Sequence, residues 1–262
     1  MDRPGSCQSM WMDLNGYLAV LTTEANVLAS AAEEAGLDAP VPTCPGWSVI
    51  DLVLHLGEVH RWATAAVAHQ ATKLSAVPND FLGPLPEREA ALAWFRSGAA
   101  TLCDTLAVAD PSIDYAAFLN DPPTPRLLFW ARRQTLETSM HRVDAESATG
   151  RCTGMAPEIA VDGIDEFLTG FLPRSRTSLH SEVARTLRVS PDYSDRSWTV
   201  TISDDLPSTV RTAEGSADCT VRGPASDIYL ALWNRGSLAP LGISGDAAVI
   251  ELLRDSVHVR WG

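Results

Sequence analysis

The chain predicts an α+β fold, a bundle of four helices followed by a small mixed domain. Before Gly150, apolar residues recur at helical spacing in four long stretches. Beyond about residue 183 the apolar period shortens towards two in three short runs. Two short helical segments interrupt or follow those runs. Helices first and strands later is the order of an α+β chain.

Each element has its own signal. The first helix, 14–35, places Leu14, Tyr17, Leu18, Leu21, Ala25, Leu28 and Ala32 on one face, and Gly36 closes it. The turn-rich DAPVPTCPGW comes next. Ser48 then reads as an N-cap with Asp51 three residues on, an S-x-x-D capping box, while Trp47 and Leu52 stand at the staple positions. This second helix runs to about Ala68. Residues 78–86 read as a loop. A third helix is expected over 86–106, with Leu92, Phe95, Ala99 and Leu102 on one face. Residues 107–124 look irregular. The fourth helix covers 125–148 and stops at Thr149-Gly150, and four helices of this length suggest an antiparallel bundle. A connecting helix is expected over 157–172, ended by Pro173. The strands are RTLRVS, SWTVTISD and ADCTVRG, and the short helices are PASDIYLALWNRG and GDAAVIELLRD. The expected division is a flexible leader over 1–11, the bundle over 12–150, a connecting helix and linker over 151–182, and the α+β domain over 183–262. Met10 and Met12 are alternative starts.

Composition narrows the function. The 262 residues carry 33 acids against 20 bases, a formal net charge of −13. Such a surface repels nucleic acid and anionic lipid, so neither is expected as a partner. The five cysteines form no CxxC, which argues against a disulfide framework or a Cys-rich zinc site and suits a reducing cytoplasm. No run approaches the 18 apolar residues of a membrane span. A monomer or homodimer acting on small molecules is the expectation.

No P-loop, HExxH, GxSxG or GxGxxG occurs among the local signatures of catalysis. Metal ligands are the alternative. A carboxylate and an imidazole four residues apart on a helix share a face and can reach one ion. Asp51/His55 and Glu137/His141 have that spacing. With 33 acids and six histidines, roughly one such pair arises by chance, so spacing alone selects neither. Asp51 is accounted for by the capping box, whereas Glu137 is mid-helix, with an ion pair to Arg133 as its alternative. His55 and His141 stay as candidates. His60 lies about 140° round the helix from His55 and would not share its face. His69, His180 and His258 read as surface residues.

The segment VPTCPGWSVIDLVLHLGEVHRWA resembles the opening of the N-terminal domain of the mycothiol-dependent maleylpyruvate isomerase family, a DinB-like metal-binding four-helix bundle. RQTLETSMHRVDAE resembles that family's last bundle helix. CTVRGPASDIYLALWNRG and LGISGDAAVIELL are similar to its C-terminal domain, which has a sterol-carrier-like α+β fold. The resemblance implies a metal triad of His55, Glu137 and His141. It also implies that Arg235, in LWNRG, is offered to the interdomain cleft as a catalytic residue; a cation at a helix C-terminus is the plainer reading. Arg132 and Arg133 are further candidates, ranked below surface ion pairs.

Two imidazoles and one carboxylate leave a fourth position on zinc, the open arrangement of a catalytic site. Zinc is the first choice, and nickel, iron or manganese also accept such donors. In the family this position implies a low-molecular-weight thiol, mycothiol or its like, as co-substrate. A thiolate that adds to a double bond, lets it rotate and leaves gives isomerisation; one that stays gives S-transfer. The leading expectation is thus a metal-dependent isomerase or thiol S-transferase acting on a small, electrophilic, anionic substrate. A hydrolase using triad-activated water is the second, and a non-catalytic small-ligand-binding protein the third. No protein nucleophile is needed. Cys44 is the cysteine to watch, with a small buried turn residue as its plain reading.

Overall fold

The computed structural model describes residues 12–174 and 177–257. The expected leader over 1–11 and His258 lie outside them. Helix α1 (Leu14–Ala35) starts where Asp13 accepts a 2.7 Å hydrogen bond from the Gly16 N–H. It stops at Gly36, whose φ of +82° suits a residue without Cβ. Helix α2 (Val49–Ala68) begins at the expected capping box, with the Ser48 N–H and hydroxyl both donating to Asp51 Oδ2 at 2.8 and 2.5 Å. Helix α3 (Ala91–Val108) follows a single 3₁₀ turn over Arg88–Ala90, so its α-helical part starts later than Pro86. Helix α4 (Arg126–Ser147) is the hub. It packs against α1, α2 and α3, and every residue from Phe129 to Glu146 is buried.

Helix α5 (Pro157–Asp165) continues into a wider π turn over Glu166–Phe171, where one uniform helix was expected. The five-stranded sheet has the order β3-β2-β1-β4-β5, with β1 Arg185–Pro191, β2 Trp198–Ile202, β3 Ser208–Val210, β4 Cys219–Gly223 and β5 Gly242–Gly245. Only the β1/β4 pair is parallel. Helix α6 (Ala225–Leu232) lies between β4 and β5 in sequence and packs on α5, while α7 (Ala248–Ser256) covers β1 and β4.

One apolar core runs from Tyr17 and Leu21 of α1, through Trp130 and Met140 of α4 and Ile164 of α5, to Val200 and Ile228. A smaller core between α1, α2 and α3 holds Leu28, Leu52, Leu56 and Phe95. Charge crosses the same boundary. Arg132 donates to Asp162 Oδ1 at 2.9 Å and Asp165 Oδ2 at 3.1 Å, and Arg133 donates to Glu166. Both arginines are therefore buried inside the molecule, not in the surface ion pairs expected of them. Asp162, Asp165 and Glu166 lie about thirty residues onward, beyond any local sequence signal. Among the described residues no helix is long and apolar enough to cross a membrane.

Candidate metal centre

The capping box sets where α2 begins, and thereby where His55 sits, two turns in. Glu137 and His141 share one face of α4 at the i, i+4 spacing. The contact of α2 with α4 brings the three together. His141 Nε2 lies 3.3 Å from Glu137 Oε1, and His55 Nε2 lies 3.9 Å from the same oxygen. All three ligand atoms fall within 4.8 Å of one another. Zinc-to-ligand distances of 2.0–2.1 Å put neighbouring tetrahedral donors roughly 3.3 Å apart. One observed edge meets that value and the other exceeds it by about half an ångström. Glu137 Oε1 is buried and receives no well-formed hydrogen bond. The donor set and its spacing fit a divalent ion.

Glu137 serves two partners with its two oxygens. Oε2 accepts from Arg133 Nη2 at 2.5 Å, while Oε1 faces the histidines. The ion pair with Arg133 is present, and it leaves Oε1 facing the histidines, so it does not preclude a ligand role. Burial alone would raise this carboxyl; Arg133 and the two imidazoles outweigh it and hold it well below the usual range. His141 Nδ1 lies 2.8 Å from Asp144 Oδ2. An ionised carboxylate only accepts, so Nδ1 carries the hydrogen and Nε2 of the neutral ring turns a lone pair on the triad. Burial would lower the His141 pKa, but Asp144 and Glu137 prevail and raise it.

Asp144 is the residue that the sequence reading missed. Its sequence signal is a carboxylate at i+3 from a candidate ligand, outside the i, i+4 offset of the two Asp/Glu–His pairs. Arg235 reaches it from the end of α6, with Nε 3.2 Å from Oδ1 and Nη2 3.3 Å from Oδ2. The same guanidinium donates to the Trp233 carbonyl at 3.0 Å and to Cys44 Sγ at 3.4 Å. Arg235 therefore caps a helix C-terminus and stands beside the triad at once. Burial pushes the Cys44 thiol up to about 12, so it stays protonated at neutral pH.

Trp47 does more than staple α2. Its ring lies edge-on to His55 at 5.0 Å and stacked over His141 at 6.3 Å, an apolar wall for the triad. His60 stays off the triad face, as expected, but is buried and held by Thr138 at 2.9 Å. His69 and His180 are exposed. A separate cavity of about 830 Å³ opens between α5, the β1–β2 turn and the start of α6. Met155, Val161, Tyr193 and Pro224 line it, and none of His55, Glu137, His141 or Arg235 does.

Residues 18–146 match the family model of the mycothiol maleylpyruvate isomerase N-terminal domain, and residues 158–252 match the MDMPI C-terminal domain. The crystal structure of the mycothiol-dependent maleylpyruvate isomerase superimposes with a TM-score of 0.58 at 14% identity, covering 89% of this chain and 93% of that one. A histidine-to-alanine mutant of that isomerase gives 0.58 at 13% identity with the same coverage. At such identity the likeness speaks for the fold. Curated protein sequences yield no match. Between them the two domain models account for nearly the whole described chain, and the chain belongs to the mycothiol-dependent maleylpyruvate isomerase family.

Proposed function

We propose that this chain is a metal-dependent enzyme that uses a mycothiol-like thiol to isomerise, or to be transferred onto, a small electrophilic and anionic substrate. The supporting observation is the triad itself, three ligand atoms within 4.8 Å of one another on two packed helices. His55, Glu137 and His141 would hold the ion, zinc first. Such an ion supplies the positive charge that makes a thiol ionise near neutral pH. The protein's own groups do the rest. Glu137 balances charge at the site, with Arg133 fixing its second oxygen. Trp47 keeps one side of the site apolar, which strengthens the electrostatics there. Arg235 brings a fixed positive charge within one residue of His141, which suits an anionic substrate.

Elemental analysis of purified protein tests the metal. One divalent ion per chain, lost in His141→Ala, is expected; a metal-free protein of unchanged stability would overturn the reading. Turnover by metal-loaded protein without added thiol would favour the hydrolytic alternative instead. The separate cavity favours a second reading, a non-catalytic site for a small apolar ligand. Saturable binding of an apolar fluorophore, abolished by Val161→Trp and indifferent to His141→Ala, would support it.

A further inference from the structure

We propose that Asp144 is a positioning residue through which Arg235, from the C-terminal region, holds the candidate ligand His141 in place. The inference rests on the metal reading of the triad. Its basis is one buried carboxylate shared by two distant segments. The Asp144 side chain is fully buried. It accepts from His141 Nδ1 at 2.8 Å, and from Arg235 Nε and Nη2 at 3.2 and 3.3 Å, across 91 residues of sequence.

Each bond has a consequence. A carboxylate on Nδ1 fixes the tautomer, stops the ring from turning and makes Nε2 a stronger donor. A lone buried carboxylate would itself be unstable, because removal from water favours its neutral form. Arg235 supplies the missing counter-charge, with Nε and Nη2 both on the Asp144 carboxylate. The arginine is anchored in turn. It donates to the Trp233 carbonyl at the end of α6 and to Cys44 in the turn before α2. The four bonds engage four of the guanidinium's five N–H groups. Little of the fork remains for a substrate carboxylate. Arg235 acts on the site through Asp144, and only its charge reaches further.

Zinc affinity of full-length protein, measured in competition with a chromophoric chelator, tests this directly. The variants are Asp144→Asn, Arg235→Gln and the pair combined, each checked by circular dichroism. Asp144→Asn should weaken zinc about 10- to 100-fold. Arg235→Gln should weaken it by a smaller factor, and should add nothing once Asp144 is Asn. The imidazole Nδ1–H resonance of His141 should move upfield in Asp144→Asn, because a neutral amide oxygen accepts more weakly than a carboxylate. Zinc affinity within twofold of wild type in a folded Asp144→Asn overturns the proposal. So does an Arg235→Gln effect that persists in full in the double variant. Should Asp144→Asn not fold, Arg235→Gln alone decides, weakened zinc binding supporting the proposal and unchanged binding overturning it. A wild-type chain that binds no zinc removes the metal reading and this one with it, whereas intact binding with an indifferent Asp144 removes only this one.

Discussion

His60 makes the fold sensitive to mild acid. It is fully buried, stacked on Phe95 at 5.5 Å, with Nε2 2.9 Å from Thr138 Oγ1. That hydroxyl already donates its one proton to the Gln134 carbonyl at 2.7 Å. Nε2 must therefore be the donor, and the neutral ring holds its lone pair on Nδ1, a buried atom without a hydrogen-bond partner. Burial pushes the His60 pKa down from 6.5 to about 3. In the unfolded chain the ring takes a proton as pH falls through 6.5; in the folded chain it does so only near 3. The neutral ring's contribution is thus intact above 6.5 and is lost progressively below it, the loss levelling off near pH 3. At pH 5 the accumulated loss is about 2 kcal/mol, and at pH 7 it is close to zero. His60→Gln keeps an N–H for Thr138 and removes the titration. Urea unfolding of both proteins at pH 7 and pH 5 isolates the effect, because other groups titrate alike in the two. Wild type should lose about 2 kcal/mol more than the variant over that interval. Equal losses would refute the argument. The site has a stake in the result, since the His60–Thr138 bond ties α2 to α4, the helices that carry His55 and Glu137.

Arg133→Met should destabilise the metal-free protein by about 3–5 kcal/mol, since buried Glu137 and Glu166 both lose their counter-charge. Saturating zinc should restore part of that in urea unfolding, and no restoration would count against Glu137 as a ligand. Asp51→Ala should cost about 0.5–2 kcal/mol through the broken capping box while leaving zinc affinity unchanged. A loss of zinc binding there would make Asp51 a ligand as well as a cap. Gly163→Ala would place a Cβ 2.4 Å from the Tyr229 ring and should cost about 1–3 kcal/mol, read as a lowered Tm. An unchanged Tm would mean that α5 and α6 give way more easily than their packing suggests.

What the sequence made legible was local. The Ser48/Asp51 box, the Gly36 stop and the apolar faces of α1 and α3 depend on neighbours within a turn or two, and the structure agrees with them. Strands β3 and β5 were missed because they lie at the two edges of the sheet. Ser208–Val210 has only three residues and Gly242–Gly245 is largely exposed, so neither shows an apolar alternation. Helix α4 misled in the opposite way. Surface ion pairs are expected of its arginines, yet residues 129–146 are buried throughout, because Asp162, Asp165, Glu166 and Glu24 are brought to those arginines from elsewhere in the chain. Asp144 illustrates both limits. Its spacing from His141 was visible, while its bond to Arg235 depends on folding across 91 residues. The triad itself was near chance by spacing, and it took the family resemblance to select it.

The acids that neutralise Arg132 and Arg133 have a consequence for modularity. The two family regions are adjacent blocks of sequence, 18–146 and 158–252, and look exchangeable. Electrostatically they are not. Asp162, Asp165 and Glu166 belong to the second block, whereas Arg132 and Arg133, which they neutralise across the junction, belong to the first. Recombination at the boundary would leave guanidinium groups in a dry interior unless the incoming partner carried acids in register, at a cost of several kcal/mol per broken pair. Such pairing acts as a compatibility code between the halves, so changes on one side of the junction should be inherited together with changes on the other.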